Sequence, residues 1–247
     1  MMPRLRKFSE GIMSIYSIET GKRIRIFRKK RKMTIEELAS RIYKSKSTVS
    51  KYENGEIAVD IDTLYQIADI LNVHIEQFLY TDHISDTLLS SGNRPSFFSG
   101  IHRFYSYVYD GRNSKLIRCV FDELSELAPG KNKILMYMNY FDPDCYQRCE
   151  TTYYGYIEHY DAVTNIMLTN KDNSMEKARA HILASYLDSE EKWGLWTGLS
   201  SRPMMPIATK MLFRRTPAKE DKEFIQNLLI SREDIRLFKL YNMYPVL

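Results

Sequence analysis

Hydrophobic positions change their period along the chain. Between residues 19 and 80 they recur at three- and four-residue intervals: Ile24 and Phe27, then Leu38, Ala39 and Ile42, then the stripe Leu64, Ile67, Ala68 and Leu71. That spacing places them on one face of successive short helices. Polar residues punctuate the stripe. Thr34 followed by Glu37 is a capping box, which marks a helix start. Ser45 is a second N-cap, and Asp60 or Asp62 a third. Asn54-Gly55 is a stop, because glycine accepts the left-handed backbone that ends helices. The pattern predicts an all-α unit of five short helices.

Residues 81–96 are rich in Ser, Asp, Asn, Gly and Pro and read as a linker, with one helical turn around 84–89. Beyond them the period falls to two. Tyr105, Tyr107 and Tyr109 alternate along 104–109, Asp110-Gly111 is a turn signal, and 115–121 resumes a strand. Segments 134–140, 152–160, 163–169, 179–187, 193–198 and 207–213 follow the same rule, mostly with polar or Gly/Pro turns between them. Evenly spaced strands of this kind build an antiparallel sheet, a sandwich or a small barrel. After Pro217 the pattern is helical again, with Phe224, Leu228 and Leu229 on one face. The fold class predicted is therefore α+β: an N-terminal extension at 1–18, a helical domain at 19–80, the linker, and a mostly β domain with a helical tail at 97–247.

Composition narrows the class. Hydrophobic residues make up 44% of the 247, and 18 tyrosines lift the aromatic share to 13%, so both halves can bury a core. No run approaches the ~20 apolar residues of a membrane helix. The basic start at 1–7 is not followed by the apolar run of a secretory signal. Three cysteines do not make a disulfide framework. The expectation is a reduced, cytoplasmic protein with no membrane partner. Charge is unevenly placed. Residues 1–80 hold 15 Lys/Arg against 10 Asp/Glu, while 81–247 hold 21 of each, so the whole excess of +5 lies in the first third. From Lys22 to Lys51, 12 basic residues face only Glu36 and Glu37. A basic surface on an otherwise balanced chain points to a polyanion.

The segment 34–55, TIEELASRIYKSKSTVSKYENG, resembles the Cro/phage-repressor (XRE-like) helix-turn-helix family. The resemblance extends over residues 21–80. It includes Arg23-Ile24-Arg25 and Phe27-Arg28, Leu38-Ala39, Ser45-x-Ser47-Thr48-Val49-Ser50, Tyr52-Glu53-Asn54-Gly55, Asp62-Thr63-Leu64, Ile67-Ala68 and Leu71-Asn72-Val73. It implies a five-helix, λ-repressor-like domain that binds double-stranded DNA. The helix after the turn is then the reader, with its first residues at base edges in the major groove. Lys46, Ser47 and Lys51, with Thr48 beside them, are the expected base contacts, and Val49 faces inward. Thr34 and Ile35, at the start of the preceding helix, are expected at phosphate, as are Lys44, Ser45, Ser50, Tyr52 and Asn54. The resemblance also implies a structural ion pair between Arg28 and Glu53. One departure stands out. The family's turn usually carries glycine and an apolar residue where this chain has Tyr43-Lys44. A positive φ there costs a tyrosine roughly 1 kcal/mol or more.

Other signals point elsewhere more weakly. Cys145, Cys149 and His159 are spaced too loosely for a structural zinc site, so no metal and no cofactor are expected. Phosphate-binding, G-x-S-x-G and H-E-x-x-H motifs are absent, and the Ala-Gly site of self-cleaving repressors is missing, so no enzyme is expected. The acidic run 188–191 reads as a solvated hairpin loop. Tyr105, Tyr107, Tyr109, Tyr154, Tyr156, Trp193 and Trp196 either line a ligand pocket or make sheet core. Met204, Met205 and Met211 offer a dimer face. The reading as a whole is a dimeric repressor on an inverted-repeat operator, whose C-terminal domain senses an effector (a small molecule or a protein), oligomerises, or both. The alternative is an antitoxin or phage-immunity regulator whose C-terminal domain binds a protein partner.

Overall fold

The computed structural model describes residues 14–79, 94–184, 189–201 and 204–246. The expected helical turn at 84–89 and most of the N-terminal extension lie outside them. The chain divides into two compact units, residues 1–82 and 83–247.

Four α-helices and a short 3-10 turn make the first unit: α1 (Ile15–Lys30), α2 (Ile35–Arg41), α3 (Lys46–Glu53), α4 (Ile61–Leu71) and Ile75–Gln77. The fifth predicted helix is thus a single turn. The caps explain the boundaries. Thr34 and Glu37 form the reciprocal box, Ser45 accepts from the Thr48 amide, and Asp60 rather than Asp62 accepts from Thr63. Ile24, Phe27, Leu38, Ile42, Val49, Leu64, Ile67, Leu71 and Phe78 close into one core. Phe27 and Phe78 meet edge to face at 5.6 Å between centroids. Gly21 lets α1 press against the end of α3: a Cβ there would lie 2.1 Å from the Tyr52 carbonyl oxygen.

The second unit is a closed up-and-down barrel of eight antiparallel strands: β1 (Arg103–Asp110), β2 (Lys115–Ala128), β3 (Lys131–Tyr140), β4 (Cys149–His159), β5 (Val163–Asn170), β6 (Lys177–Leu183), β7 (Glu191–Ser201) and β8 (Met204–Arg214). Each strand pairs with the next, and β8 returns to β1. Each predicted strand segment overlaps one of these strands, and the end of the segment predicted at 179–187 lies outside the described residues. Alternation drives the closure. Along β5 and β6 every second residue is buried. Eight strands enclose a space that side chains can fill, and here Phe104, Phe121, Met136, Tyr153, Ile166, Trp196 and Phe213 fill it with smaller neighbours. Phe97 and Phe98, on a 3-10 turn ahead of β1, add to the same core.

Strand β1 meets β8 over only three register pairs, Tyr105 with Arg214, Ser106 with Phe213 and Tyr107 with Leu212. Over that seam lies α5 (Lys222–Leu228), with Leu228 and Phe224 packed on Tyr107 and Leu212. The Ala218 amide donates to the Tyr107 hydroxyl at 2.9 Å. The tail continues as α6 (Arg232–Tyr241), started by a Ser231–Asp234 capping box.

Candidate nucleic-acid interface

Helix α3 is held from below. Val49 is fully buried, and Arg28 of α1 grips Glu53 through two parallel hydrogen bonds, Nε to Oε1 at 2.5 Å and Nη2 to Oε2 at 2.9 Å. The same guanidinium donates to the Met33 carbonyl at 2.7 Å, so Arg28 ties α1, α3 and the entry to α2 together. A buried, bidentate pair of this kind fixes orientation. The turn between α2 and α3 is tight: Tyr43 sits at φ 54°, in the left-handed region, with its ring 93% exposed. The expected strain at this position is therefore present.

The free side of α3 carries the expected readers. Lys46, Ser47 and Lys51 are exposed and Thr48 is half-buried. Ser45 organises this end: its hydroxyl lies 2.7 Å from the Ser47 hydroxyl and 2.8 Å from that of Thr48, and it accepts from the Thr48 amide. Lys44 and Asn54 are exposed at the two ends of the helix, and Ser50 is half-buried. Asn54 donates to Glu56.

Three of the expected phosphate contacts, Tyr52, Thr34 and Ile35, have surroundings of their own within the fold. Tyr52 is 5% exposed, so its side chain is part of the packing rather than of the surface. Val49 and Tyr52, three apart, form an inward stripe, which was the available signal. At the start of α2, Glu37 already accepts both the Thr34 amide (2.7 Å) and the Thr34 hydroxyl (3.1 Å), and the first turn carries the carboxylates of Glu36 and Glu37. Ile35 follows, half-buried. That end is poorly suited to an anion.

Sequence reasoning also missed a partner. The Lys46 amine is ion-paired with Glu36, across the turn on α2. The lysine's hydrogen bond holds the Glu36 carboxyl below the usual carboxylate range. Both side chains are largely exposed, so the pair is worth little by itself. Lys46 is the first residue of α3 and its side chain is 65% exposed, so another acceptor can reach the amine.

On the barrel, the remaining candidates separate. Cys149 is buried and donates to the Thr151 carbonyl, while His159 bonds to Thr164. Among the described residues, no group of three or more His, Cys, Asp or Glu side chains is placed to hold a metal. The seven aromatics do not share a lining. Trp196 belongs to the barrel core, whereas Tyr105, Tyr107, Tyr109 and Trp193 pack on the outer face near α5. Tyr156 stacks under the Lys131 amine, 3.6 Å from the ring centroid. Met211 is inside, away from the exposed Met204 and Met205. A cleft of about 510 Å³ lies outside β7 and β8, walled by Trp193, Lys210, Arg214 and Phe224.

Residues 24–78 match the family described as helix-turn-helix. No curated protein matches the chain at a significant level. Among solved structures, the chain is similar to the restriction-modification controller protein C.AhdI from Aeromonas hydrophila, with 22% identity over 25% of this chain and 94% of that one, TM-score 0.25. It is also similar to the clp gene regulator ClgR from C. glutamicum, with 23% identity over 26% and 84%, TM-score 0.26. A longer likeness, 83% of this chain and 93% of the other, is to hydroxypropylphosphonic acid epoxidase from S. wedmorenis, at 15% identity and TM-score 0.28. Scores this low carry no conclusion about this chain. No helix of the described residues is long and apolar enough to cross a membrane.

Proposed function

From a helix-turn-helix domain at residues 24–78, we propose that this protein is a sequence-specific DNA-binding transcription regulator that lays α3 in the major groove. The observation that carries this reading is the anchored, polar face of α3. Lys46, Ser47 and Lys51 stand exposed on a helix fixed by the buried Arg28–Glu53 pair. Residues 1–80, which bear them, hold the chain's whole positive excess. Lysine donates to guanine O6 and N7, and serine or threonine pairs with several bases. Lys44, Ser45, Ser50 and Asn54 set the register on the phosphates. Binding moves Lys46 from Glu36 to the DNA, an exchange that costs little because the pair is solvent-exposed.

In this reading the protein acts in the cytoplasm as a homodimer. A single small domain makes a modest interface, and two-fold dimers read half-sites about 34 Å apart. Occupying a promoter represses it. The barrel has no catalytic part; it oligomerises the chain and receives an effector, for which the cleft beside Trp193 is the candidate place.

Sequence selection by the full chain from a random duplex library, at near-physiological salt, tests the reading. An enriched inverted repeat with half-sites one helical turn apart is expected. Retention without any enriched sequence would overturn it, leaving only attraction between charges.

A further inference from the structure

Lys32, Tyr43, Gly55, Asn72 and Asn242, each just after a helix, hold φ between 50° and 73°. Glycine and asparagine enter that left-handed region at the least cost. Tyrosine does not, and the turn asks only for what a glycine supplies. The Tyr43 amide donates to the Ser40 carbonyl at 3.3 Å and the Lys44 amide to the Ala39 carbonyl at 3.0 Å, the two bonds that close a helix end. The ring gains nothing within the fold. It is almost wholly exposed, and among the described residues it has no hydrogen bond or ring contact. Lys32, the other costly residue, precedes α2 as Tyr43 follows it. A strained backbone that the fold itself does not need marks a functional position.

We propose that Tyr43 is a positioning contact to the DNA backbone, its hydroxyl donating to a phosphate oxygen at the edge of the groove that α3 enters. This rests on the reading of α3 as the base-reading helix. Tyr43 stands at the joint of α2 and α3. In that docking α2 crosses the sugar–phosphate backbone, while the first residues of α3 reach base edges. The Tyr43 Cα lies at most about 11 Å from that of Lys46, three residues on. The major groove is ~12 Å wide, so each wall is about 6 Å from its middle. A side chain leaving the chain at the joint therefore emerges beside a wall. Tyrosine is among the side chains that hydrogen-bond phosphate, and Arg41 and Lys44, exposed on either side of it, bring positive charge to the same place. Because the tyrosine is neutral, its contact strengthens binding to every sequence and adds nothing to counterion release.

Binding of the full chain to the duplex it selects, and to a random duplex, tests this with Tyr43→Phe, which removes the hydroxyl and keeps the backbone and the ring. About tenfold weaker binding to both duplexes is expected, with base preference, salt slope and melting unchanged. Tyr43→Gly, which relieves the strain, should bind at least as weakly while melting higher. Ethylation of single phosphates locates the contact: one phosphate in each half-site should interfere with wild type and no longer with Tyr43→Phe. Wild-type affinity of Tyr43→Phe, a loss confined to the selected duplex, or one interference pattern for both chains overturns the proposal. Failure here is distinguishable from failure of the DNA reading. A chain that selects a sequence and is indifferent to Tyr43→Phe sinks the contact only, whereas a chain that selects none sinks the reading and the contact with it.

Discussion

Replacing Tyr43 with glycine isolates the strain in the turn before α3. Tyr43 holds φ at 54° and its ring is 93% exposed, so the substitution gives up almost no packing. A left-handed backbone costs an L-residue about 1–2 kcal/mol. Glycine escapes that cost but loses about 0.5–1 kcal/mol through its freer unfolded chain. The balance favours Tyr43→Gly by about 0.5–1 kcal/mol, which in a unit of this size raises the melting temperature by roughly 2–8 °C. The assay can separate the two units. Both tryptophans, Trp193 and Trp196, lie in β7, so their fluorescence follows the barrel, while α1–α4 contribute most of the helical dichroism. The dichroism midpoint should rise and the fluorescence midpoint should not. Tyr43→Ala, which keeps the backbone cost and removes the ring, should leave both within ~0.5 kcal/mol of wild type. An equal rise for alanine and glycine would refute the strain argument, as would a fall for glycine.

Three further outcomes follow from the same geometry. Glu53→Ala strands the Arg28 guanidinium in the interior and should cost about 3–5 kcal/mol, read from the helical melting curve; an unchanged curve would show the pair to be idle. Lys46→Ala should abolish discrimination at one base position, whereas Lys44→Ala should weaken all duplexes and lower the salt slope by about one, and wild-type behaviour of both would displace α3 from the groove. Burial pushes the Cys119 thiol up to about 12, so it stays protonated and inert in the folded chain. A thiol reagent at mildly alkaline pH should therefore label partly exposed Cys145 first, and Cys119 and Cys149 only on unfolding. Equal labelling of Cys119 and Cys145 would contradict a filled, closed barrel.

The helical unit was legible because its signals are local. Thr34 with Glu37, Ser45 and Gly55 act within a turn of themselves, and each ends or begins a helix where expected. The eight strands were legible for the same reason, since alternation and turns are short-range. Closure was not: a period of two is identical in a sheet, a sandwich and a barrel, and the deciding pairs join Tyr105 to Arg214 and Tyr107 to Leu212 across the whole domain. The Glu36–Lys46 pair was hidden similarly, because it spans a turn whose geometry the sequence does not print. The burial of Tyr52 was legible in its three-residue spacing from Val49, which puts both on the inward side of α3.

The seam between β1 and β8 also orders events in time. Strands β1 to β7 can pair with a neighbour as soon as it has been synthesised, but β1 must wait about a hundred residues for β8, and closing so long a loop is entropically slow. Until then both outer strands offer bare hydrogen-bonding edges to other chains. The clasp over the seam, α5, is made later still, so at translation rates of about 5–20 residues per second the helical unit folds first and the nascent barrel stays open for several seconds. Newly made protein is therefore most prone to aggregate in that interval, and a chain terminated just after β8 would close its barrel without the clasp that secures it.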